Sequence, residues 1–152
     1  MIAVVQRVDR ASVEVEDPPY RAEIAAGLLV LLGVEDGDTE TEADRMTGRI
    51  ARLRIFRDDE GRMNRSVTDV AGDVLVVSQF TLAADTARGN RPSFVRAAEP
   101  VRAEALYERV MDGLRNEHGI TTAGGRFGAM MKVALINDGP VTIILRSGDS
   151  ER

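Results

Sequence analysis

Two short, continuous apolar runs dominate the hydrophobic pattern of the chain, one over residues 27–34 and one over residues 74–77. Runs of this length, bounded by glycine or polar residues, predict strands that are buried on both faces. The second run continues into polar side chains, so the predicted strand covers residues 74–82 and includes Ser78, Gln79, Phe80 and Thr81. Because a buried polar group without a partner costs about 1–3 kcal/mol, backbone groups or a bound ligand must satisfy these side chains.

Two segments have helical signals. Thr39 and Glu42 have the spacing of a capping box, and the helix that they begin is predicted to run to about Leu53. Pro100 suits a first helical position, and the second predicted helix is closed by Gly119. Apolar residues at helical spacing form one stripe of this second helix: Val101, Ala105, Leu106, Val110, Met111 and Leu114.

Alternation and turn residues predict the remaining strands. Residues 2–8 and 12–16 alternate, residues 54–56 form a short strand, and strands over 131–136 and 141–145 are joined by a turn at 137–140. Gly124-Gly125 is interpreted as flexible or closely packed backbone without a strand before it. This order of elements predicts an α+β fold, with largely antiparallel β-sheets and two main helices packed as a layered sandwich. We expect a single domain over residues 1–146 and a flexible polar tail over residues 147–152.

Composition restricts the chemistry. A chain of 152 residues is long enough for one domain with its own core. Because it has no cysteine, disulfides, catalysis by a thiolate and cysteine-based zinc sites are excluded. The one histidine, His118, lies at the predicted end of the second helix, where it is interpreted as helix-end decoration rather than a base. The chain begins without a basic leader followed by an apolar core, and no apolar run reaches membrane-spanning length. We therefore expect a cytoplasmic protein that does not enter membranes.

The net charge and the local distribution of charge point to different conclusions about nucleic-acid binding. The net charge of -5 argues against a dedicated nucleic-acid binder, because phosphate contacts need clustered cations. Arginines nevertheless gather at positions 45, 49, 52, 54 and 57, and again at Arg88, Arg91 and Arg96. The first group is interpreted as the solvated face of a helix, and a patch for RNA phosphates is the alternative.

Common catalytic and cofactor motifs are missing from the sequence. There is no G-x-S-x-G elbow, no phosphate-binding loop and no dinucleotide fingerprint. The carboxylates Glu35, Asp36 and Asp38 are more simply a turn and a helix entry than a metal site. We therefore expect no metal and no cofactor. The residues alone indicate an α+β domain with a possible site at the exit of strand 74–82.

Three segments together resemble the D-aminoacyl-tRNA deacylase family. They are Ser-Gln-Phe-Thr-Leu at 78–82, Arg-Gly-Asn-Arg-Pro-Ser-Phe at 88–94 and Asn-Asp-Gly-Pro-Val-Thr at 137–142. Residues 6–8, 11–13 and 27–33 match the same family in the same order. The resemblance spans about residues 1–146. Each motif alone would be weak evidence for the family, but three motifs in the same order are specific evidence.

The resemblance implies a homodimeric enzyme that hydrolyses the ester between a D-amino acid and the 3′-terminal adenosine of tRNA. Glycine mischarged on the tRNA for alanine is a further implied substrate. Gly139-Pro140 resembles the family's cis Gly-Pro motif, which reaches into the pocket of the partner subunit. Its carbonyl oxygens occupy the space that an L side chain would need, so backbone exclusion decides chirality.

The resemblance also implies roles for single residues. Ser78, Gln79, Phe80 and Thr81 would line the pocket, and N–H groups near Phe80 and Thr81 would stabilise the oxyanion. Thr81 as a nucleophile would need a base, and the sequence offers none, so we favour water attack assisted by the ribose 2′-hydroxyl.

Four further residues and two alternative functions complete the expectations. Arg7 would brace the Gly-Pro loop, Met131 would contact the amino acid or adenosine, and Arg88 and Arg91 would contact tRNA. A hydrolase of small esters would act without RNA. A non-catalytic tRNA-binding module would hold tRNA without releasing the amino acid.

Overall fold

The computed structural model describes residues 1–149 as one mixed sheet, a small hairpin and two helices. The strands of the main sheet are β1 (Ile2–Val15), β2 (Tyr20–Ile24), β3 (Gly27–Gly33), β6 (Asp73–Ser78), β7 (Thr122–Gly124) and β8 (Lys132–Arg146). The hairpin consists of β4 (Phe56–Arg57) and β5 (Met63–Arg65). The helices are α1 (Glu40–Arg52) and α2 (Pro100–Asn116), and a 3-10 helix covers Phe80–Ala83.

The main sheet combines antiparallel and parallel pairs. β1 pairs antiparallel with β2, β3 and β8, whereas β3 pairs parallel with β6, and β6 pairs parallel with β7. Parallel neighbours need a long crossover connection, and here α1 and α2 lie within the connections from β3 to β6 and from β6 to β7. The two main helices are confirmed, but a mixed sheet replaces the predicted largely antiparallel, layered sandwich.

The sheet curls until its two ends meet. β2 and β7 lie at opposite ends of the strand order, yet the Tyr20 hydroxyl donates to the Gly124 carbonyl at 2.7 Å. Alternate residues of β3 consequently face two cores, because Leu28 packs on the helix side and Leu29 packs inside the curl. The prediction that residues 27–34 form a strand buried on both faces is confirmed.

The helices follow their sequence signals closely. Thr39 caps α1, and the reciprocal contacts of the capping box with Glu42 are both present. Pro100 begins α2 in its first turn, as predicted, but Val101 is 74% exposed and Ala105 is exposed as well, so neither belongs to the buried stripe. Neither helix within residues 1–149 is long and apolar enough to cross a membrane.

Several strand boundaries differ from the prediction. β1 is one continuous strand over both alternating segments, and β8 runs through the predicted turn at 137–140 with an irregularity there. β7 precedes Gly125, where no strand was expected, because three residues are too few to produce a pattern. The predicted strand 74–82 ends at Ser78, and Phe80 and Thr81 lie in the 3-10 helix instead.

Ser147, the first residue of the predicted tail, is buried. Its hydroxyl accepts from the Met1 amino group at 2.7 Å, and its N–H donates to the Met1 carbonyl at 3.0 Å. The guanidinium of Arg45, predicted to lie on a solvated face, donates to the Ser147 carbonyl at 3.1 Å. Ordered structure therefore continues past residue 146, and the tail positions 150–152 lie outside the described residues.

Candidate active site

The carboxyl ends of three parallel strands meet at one edge of the sheet. Ser78 at the end of β6 is in register with Leu32 of β3, and the Gln79 N–H donates to the Leu32 carbonyl at 2.8 Å. On the other side of β6, Gly124 at the end of β7 is in register with Val76. The segments that follow these strand ends therefore lie together. In many sheets of parallel strands, ligands bind at this edge, outside the carboxyl ends of the strands.

Helix α2 holds this edge through one buried phenol. The Tyr107 hydroxyl donates to the Val76 carbonyl at 2.9 Å, and the Gly125 N–H donates to the same carbonyl at 3.1 Å. Burial raises the pKa of Tyr107 far above its ordinary value, so the phenol stays a protonated donor. The ends of β6 and β7 are consequently held together from the helix side.

A tight turn after β6 carries the predicted catalytic residues. A side chain at Gly33 would come within 2.9 Å of the Gln79 carbonyl oxygen and 3.0 Å of the Leu82 Cβ. The absence of a side chain at Gly33 therefore lets residues 79–82 fold against β3. The turn presents Phe80 and Thr81 to solvent, and both residues are exposed.

The turn offers two backbone donors and one hydroxyl. Within residues 1–149, neither the Phe80 N–H nor the Thr81 N–H donates to a backbone acceptor, as expected for the first residues of a helix. The Gln79 side-chain amide donates to the Thr81 hydroxyl oxygen, and no carboxylate or imidazole of the described residues bonds that hydroxyl. Donors of this kind suit an oxyanion, and a threonine nucleophile would need a base that the described residues do not place against this hydroxyl.

An aromatic pair lies on the outer side of the turn. The rings of Phe80 and Phe94 meet edge to face with centroids 5.1 Å apart. Phe94 belongs to the loop between the 3-10 helix and α2, and two backbone hydrogen bonds of 2.7 and 2.9 Å between Asp85 and Ser93 close the part of this loop directly before Phe94. The predicted tRNA contacts Arg88 and Arg91 lie exposed on this loop.

Met131 lies at the same sheet edge, beyond β7. It is partly buried against the core inside the curled sheet. A side chain at Gly125 would come within 2.5 Å of the Met131 sulfur, so the two residues are in close contact. The structure thus brings Met131 near the end of β6, as a contact with substrate there would require.

The Gly139-Pro140 segment leaves the sheet as a compact loop. Gln6 and Val8 of β1 are in register with Thr142 and Asn137, so residues 138–141 have no partner in β1. The Asn137 side chain accepts from the Val141 N–H at 2.7 Å and donates to the Val141 carbonyl at 3.1 Å, which closes the loop. The Gly139-Pro140 bond is cis, and both residues are exposed.

Arg7 supports this loop from within β1. Its side chain is buried, with Nε 2.9 Å from the Asp138 carbonyl oxygen and 3.4 Å from Asp138 Oδ2. Its Nη1 donates to the Ile55 carbonyl at 2.6 Å, next to the β4–β5 hairpin. One guanidinium thus ties the loop to a second segment of the chain, because its planar fork has donors pointing in several directions.

The loop and the turn are attached to different parts of the sheet. Arg7 of β1 is in register with Leu28, whereas Ser78 is in register with Leu32, four residues further along β3. The loop lies in β8, which is separated from β6 by β1 and β3, and no hydrogen bond of the described residues joins the loop to the turn. The predicted site residues therefore form two groups, with Gly139, Pro140 and Arg7 in one and Ser78, Gln79, Phe80, Thr81 and Met131 in the other.

Replacement of Arg7 by alanine should lower the free energy of unfolding by about 3 kcal/mol, because two carbonyl groups lose hydrogen bonds to a buried charged donor. Urea unfolding monitored by circular dichroism measures this change. Arg62→Ala is the matched control, since the Arg62 side chain is 76% exposed and, within residues 1–149, forms an ion pair with Glu60 alone. A loss for Arg7→Ala no larger than that of the control would show that Arg7 does not support the loop.

Sequence reasoning did not single out two residues of these groups. Asn137 closes the Gly-Pro loop with its side chain, and an asparagine directly before Asp-Gly-Pro is a signal of such a turn. Phe94 was recognised only as part of a motif. Its exposed contact with Phe80 is a tertiary feature for which the sequence has no local signal.

The comparisons with known proteins agree with the resemblance. The family model for D-Tyr-tRNA(Tyr) deacylase matches residues 4–146. Proteins named D-aminoacyl-tRNA deacylase are similar: that of Azoarcus sp. strain BH72 is 56% identical over 96% of this chain and 95% of its own. That of Klebsiella pneumoniae strain 342 is 57% identical, over 96% of this chain and 99% of its own.

Two solved structures are also similar. The c-Myc DNA Unwinding Element Binding Protein has a TM-score of 0.91 at 42% identity, covering 98% of this chain and 100% of its own. A probable eukaryotic D-amino acid tRNA deacylase has a TM-score of 0.80 at 17% identity, covering 95% and 97%, and shows the shared fold. With the family model matched over nearly its whole length, the chain belongs to the D-Tyr-tRNA(Tyr) deacylase family.

Proposed function

We propose that the protein hydrolyses the ester of D-aminoacyl-tRNA, and of glycine mischarged on the tRNA for alanine, at a site completed by a second copy of the chain. The observation that carries this proposal is the pair of backbone N–H groups at Phe80 and Thr81. Neither group donates to a backbone acceptor within residues 1–149, and both residues are exposed in the turn that follows the carboxyl end of β6. The family membership and the names of the relatives support the same reaction.

In the proposed mechanism, the two N–H groups donate to the oxyanion that forms when water attacks the ester carbonyl carbon. Preorganised donors of this kind stabilise a transition state by roughly 3–4 kcal/mol each. The 2′-hydroxyl of the terminal ribose accepts a proton from the attacking water and passes its own proton to the departing 3′-oxygen. The Thr81 hydroxyl, held by the Gln79 amide, positions the ester by a hydrogen bond and forms no covalent bond to it.

The separate attachment of the two groups of residues supports a shared site. The Gly139-Pro140 loop is held by Arg7 of β1, whereas the turn packs against Gly33 of β3, and no hydrogen bond of the described residues brings the loop to the turn of its own chain. A second copy can supply the loop instead. The outer edge of β8 has no strand partner within residues 1–149, and Leu135, Ile136 and Ile144 are exposed on this strand. Such an edge is suited to burial in a homodimer.

Chirality would then be decided by a rigid backbone. Arg7 and Asn137 hold the loop from both sides, so the Gly139 and Pro140 carbonyl groups keep one position. An L side chain would clash with these carbonyl groups, whereas a D side chain would point away from them. Glycine would also be accepted, because it has no side chain. The proposed partner is tRNA through its acceptor end, with Arg88 and Arg91 contacting phosphate, and the proposed location is the cytoplasm.

Purified protein should deacylate D-tyrosyl-tRNA and leave L-tyrosyl-tRNA intact. The reason is that the loop excludes only the L side chain. Release of labelled tyrosine from the two matched substrates measures the preference, with a p-nitrophenyl ester as a third substrate. Turnover of the small ester alone would instead favour a small-ester hydrolase, and retention of charged tRNA without release would favour a non-catalytic binding module.

A further inference from the structure

We infer that the exposed pair Phe80 and Phe94 is a stacking platform for an unpaired base of RNA, at the position 5′ of the terminal adenosine. This inference rests on the proposed function for the identity of the RNA, which is the 3′ end of tRNA. It assigns the surface beside the catalytic turn a role that the hydrolysis itself does not require.

The first argument is the exposure of the two rings. The chain has only four phenylalanines, and two of them meet on the surface, with Phe80 59% and Phe94 36% exposed. A buried phenylalanine ring would stabilise the fold, so a pair of rings left exposed is typical of a binding surface. The rings also lie next to the two N–H groups proposed to hold the ester, so a bound 3′ end must pass close to them.

The second argument is that the loop does not need the pair to stay closed. Two backbone hydrogen bonds join Asp85 and Ser93, and the Ala97 N–H donates to the Phe94 carbonyl at 3.0 Å. The base of the loop is further tied by the Asp36 N–H, which donates to the Arg96 carbonyl at 2.8 Å. The loop is therefore held by backbone hydrogen bonds, and the two exposed rings can bind a ligand without opening it.

The third argument is charge. Arg88 and Arg91 form no ion pair or side-chain hydrogen bond with any residue of 1–149, whereas Arg96 on the same loop pairs with Glu35 at 2.9 Å. Unpaired guanidinium groups on the loop that also carries an exposed ring suit a single strand, because the rings stack with bases and the cations contact phosphate. Within an acidic chain, this local charge favours an RNA strand over an acidic protein surface.

The test compares Phe94→Leu, which keeps the apolar volume, with Phe94→Tyr, which keeps the ring. A short single-stranded RNA that ends in CCA is the binding probe, and fluorescence anisotropy measures its affinity. We expect Phe94→Leu to weaken binding about tenfold and Phe94→Tyr to bind like the wild type. Val101→Ala is the matched control, because Val101 is an exposed apolar residue of the first turn of α2. Equal affinity of the wild type and Phe94→Leu would overturn the platform.

A second measurement uses catalysis. For Phe94→Leu, the ratio of kcat/KM for D-tyrosyl-tRNA to kcat/KM for D-tyrosyl-adenosine should fall about tenfold, because the nucleoside has no upstream base to stack. An unchanged ratio, or a Phe94→Leu protein that is monomeric where the wild type is dimeric, would overturn the inference. Ring-dependent RNA binding by a protein that hydrolyses neither substrate would support the platform and reject the proposed function, so the two failures are distinguishable.

The charge contribution has its own readout. For a single strand, each phosphate contact contributes about 0.7 to the slope of log affinity against log salt concentration. Arg88→Gln should therefore reduce the slope for the CCA probe by about 0.7, and Arg62→Gln, on the β4–β5 hairpin, should leave it unchanged. If the slope for Arg88→Gln equals that of the wild type, Arg88 does not contact phosphate in the bound RNA.

Discussion

Hydrolysis should slow by about a hundredfold or more when the 2′-hydroxyl of the terminal adenosine is removed from D-tyrosyl-tRNA. The expectation follows from the lack of a base at the turn, because no carboxylate or imidazole of residues 1–149 bonds the Thr81 hydroxyl. The substrate must then supply the proton relay, and a positioned acid or base contributes about 10²–10⁴ to a rate. Single-turnover rates for the normal and the 2′-deoxy substrate measure the difference.

Thr81→Ala is the counterpart of this experiment on the protein side. If Thr81 only positions the ester, the variant should keep activity within about tenfold of the wild type, because one neutral hydrogen bond contributes about 1 kcal/mol. Complete loss of activity, with folding and tRNA binding intact and with the 2′-deoxy substrate still cleaved by the wild type, would contradict water attack. Such a result would restore Thr81 as a covalent nucleophile.

Rejection of L-tyrosyl-tRNA should weaken by about tenfold to a hundredfold in Gly139→Ala. Gly139 has φ +150, and a side chain there would come within 2.7 Å of the Val141 Cγ2 and 2.8 Å of the Val141 N. The loop must therefore shift, and its carbonyl groups would no longer stand where they exclude an L side chain. The steric penalty lost is about 1–3 kcal/mol, the typical cost of an overpacked contact. The ratio of D to L deacylation rates measures the change.

Gly119→Ala is the matched control for this substitution. Gly119 also has a positive φ, +65, but a side chain there would meet nothing within 4 Å, and the residue lies after α2, outside both groups of site residues. The control should retain the wild-type ratio of D to L rates. Equal ratios in Gly139→Ala, Gly119→Ala and the wild type would show that the loop does not decide chirality.

Local patterns predicted those parts of the fold that neighbouring residues decide. The capping box of Thr39 and Glu42 needs only residues three apart, and it is present as predicted. The two-faced burial of residues 27–34 is visible as an uninterrupted apolar run. The end of the strand at Ser78 was not visible, because Phe80 and Leu82 continue an apolar alternation that the fold uses for a 3-10 helix.

Strand direction and the grouping of the site residues belong to the tertiary structure. The continuous apolar runs of β3 and β6 are typical of parallel strands, but β7 has only three residues, and no local pattern says which strands pair with one another. The contact of Arg7 with Asp138 joins positions 131 residues apart, for which local periodicity has no signal.

The helices, the buried strands and the family could be predicted from the sequence alone, because capping, periodicity and motifs are local properties of the chain. The fold was needed to show that Phe80 and Thr81 are exposed after the carboxyl end of β6, and that the Gly139-Pro140 loop belongs to a different part of the sheet. Sheet register and crossover connections, rather than spacing along the chain, set which strand ends meet.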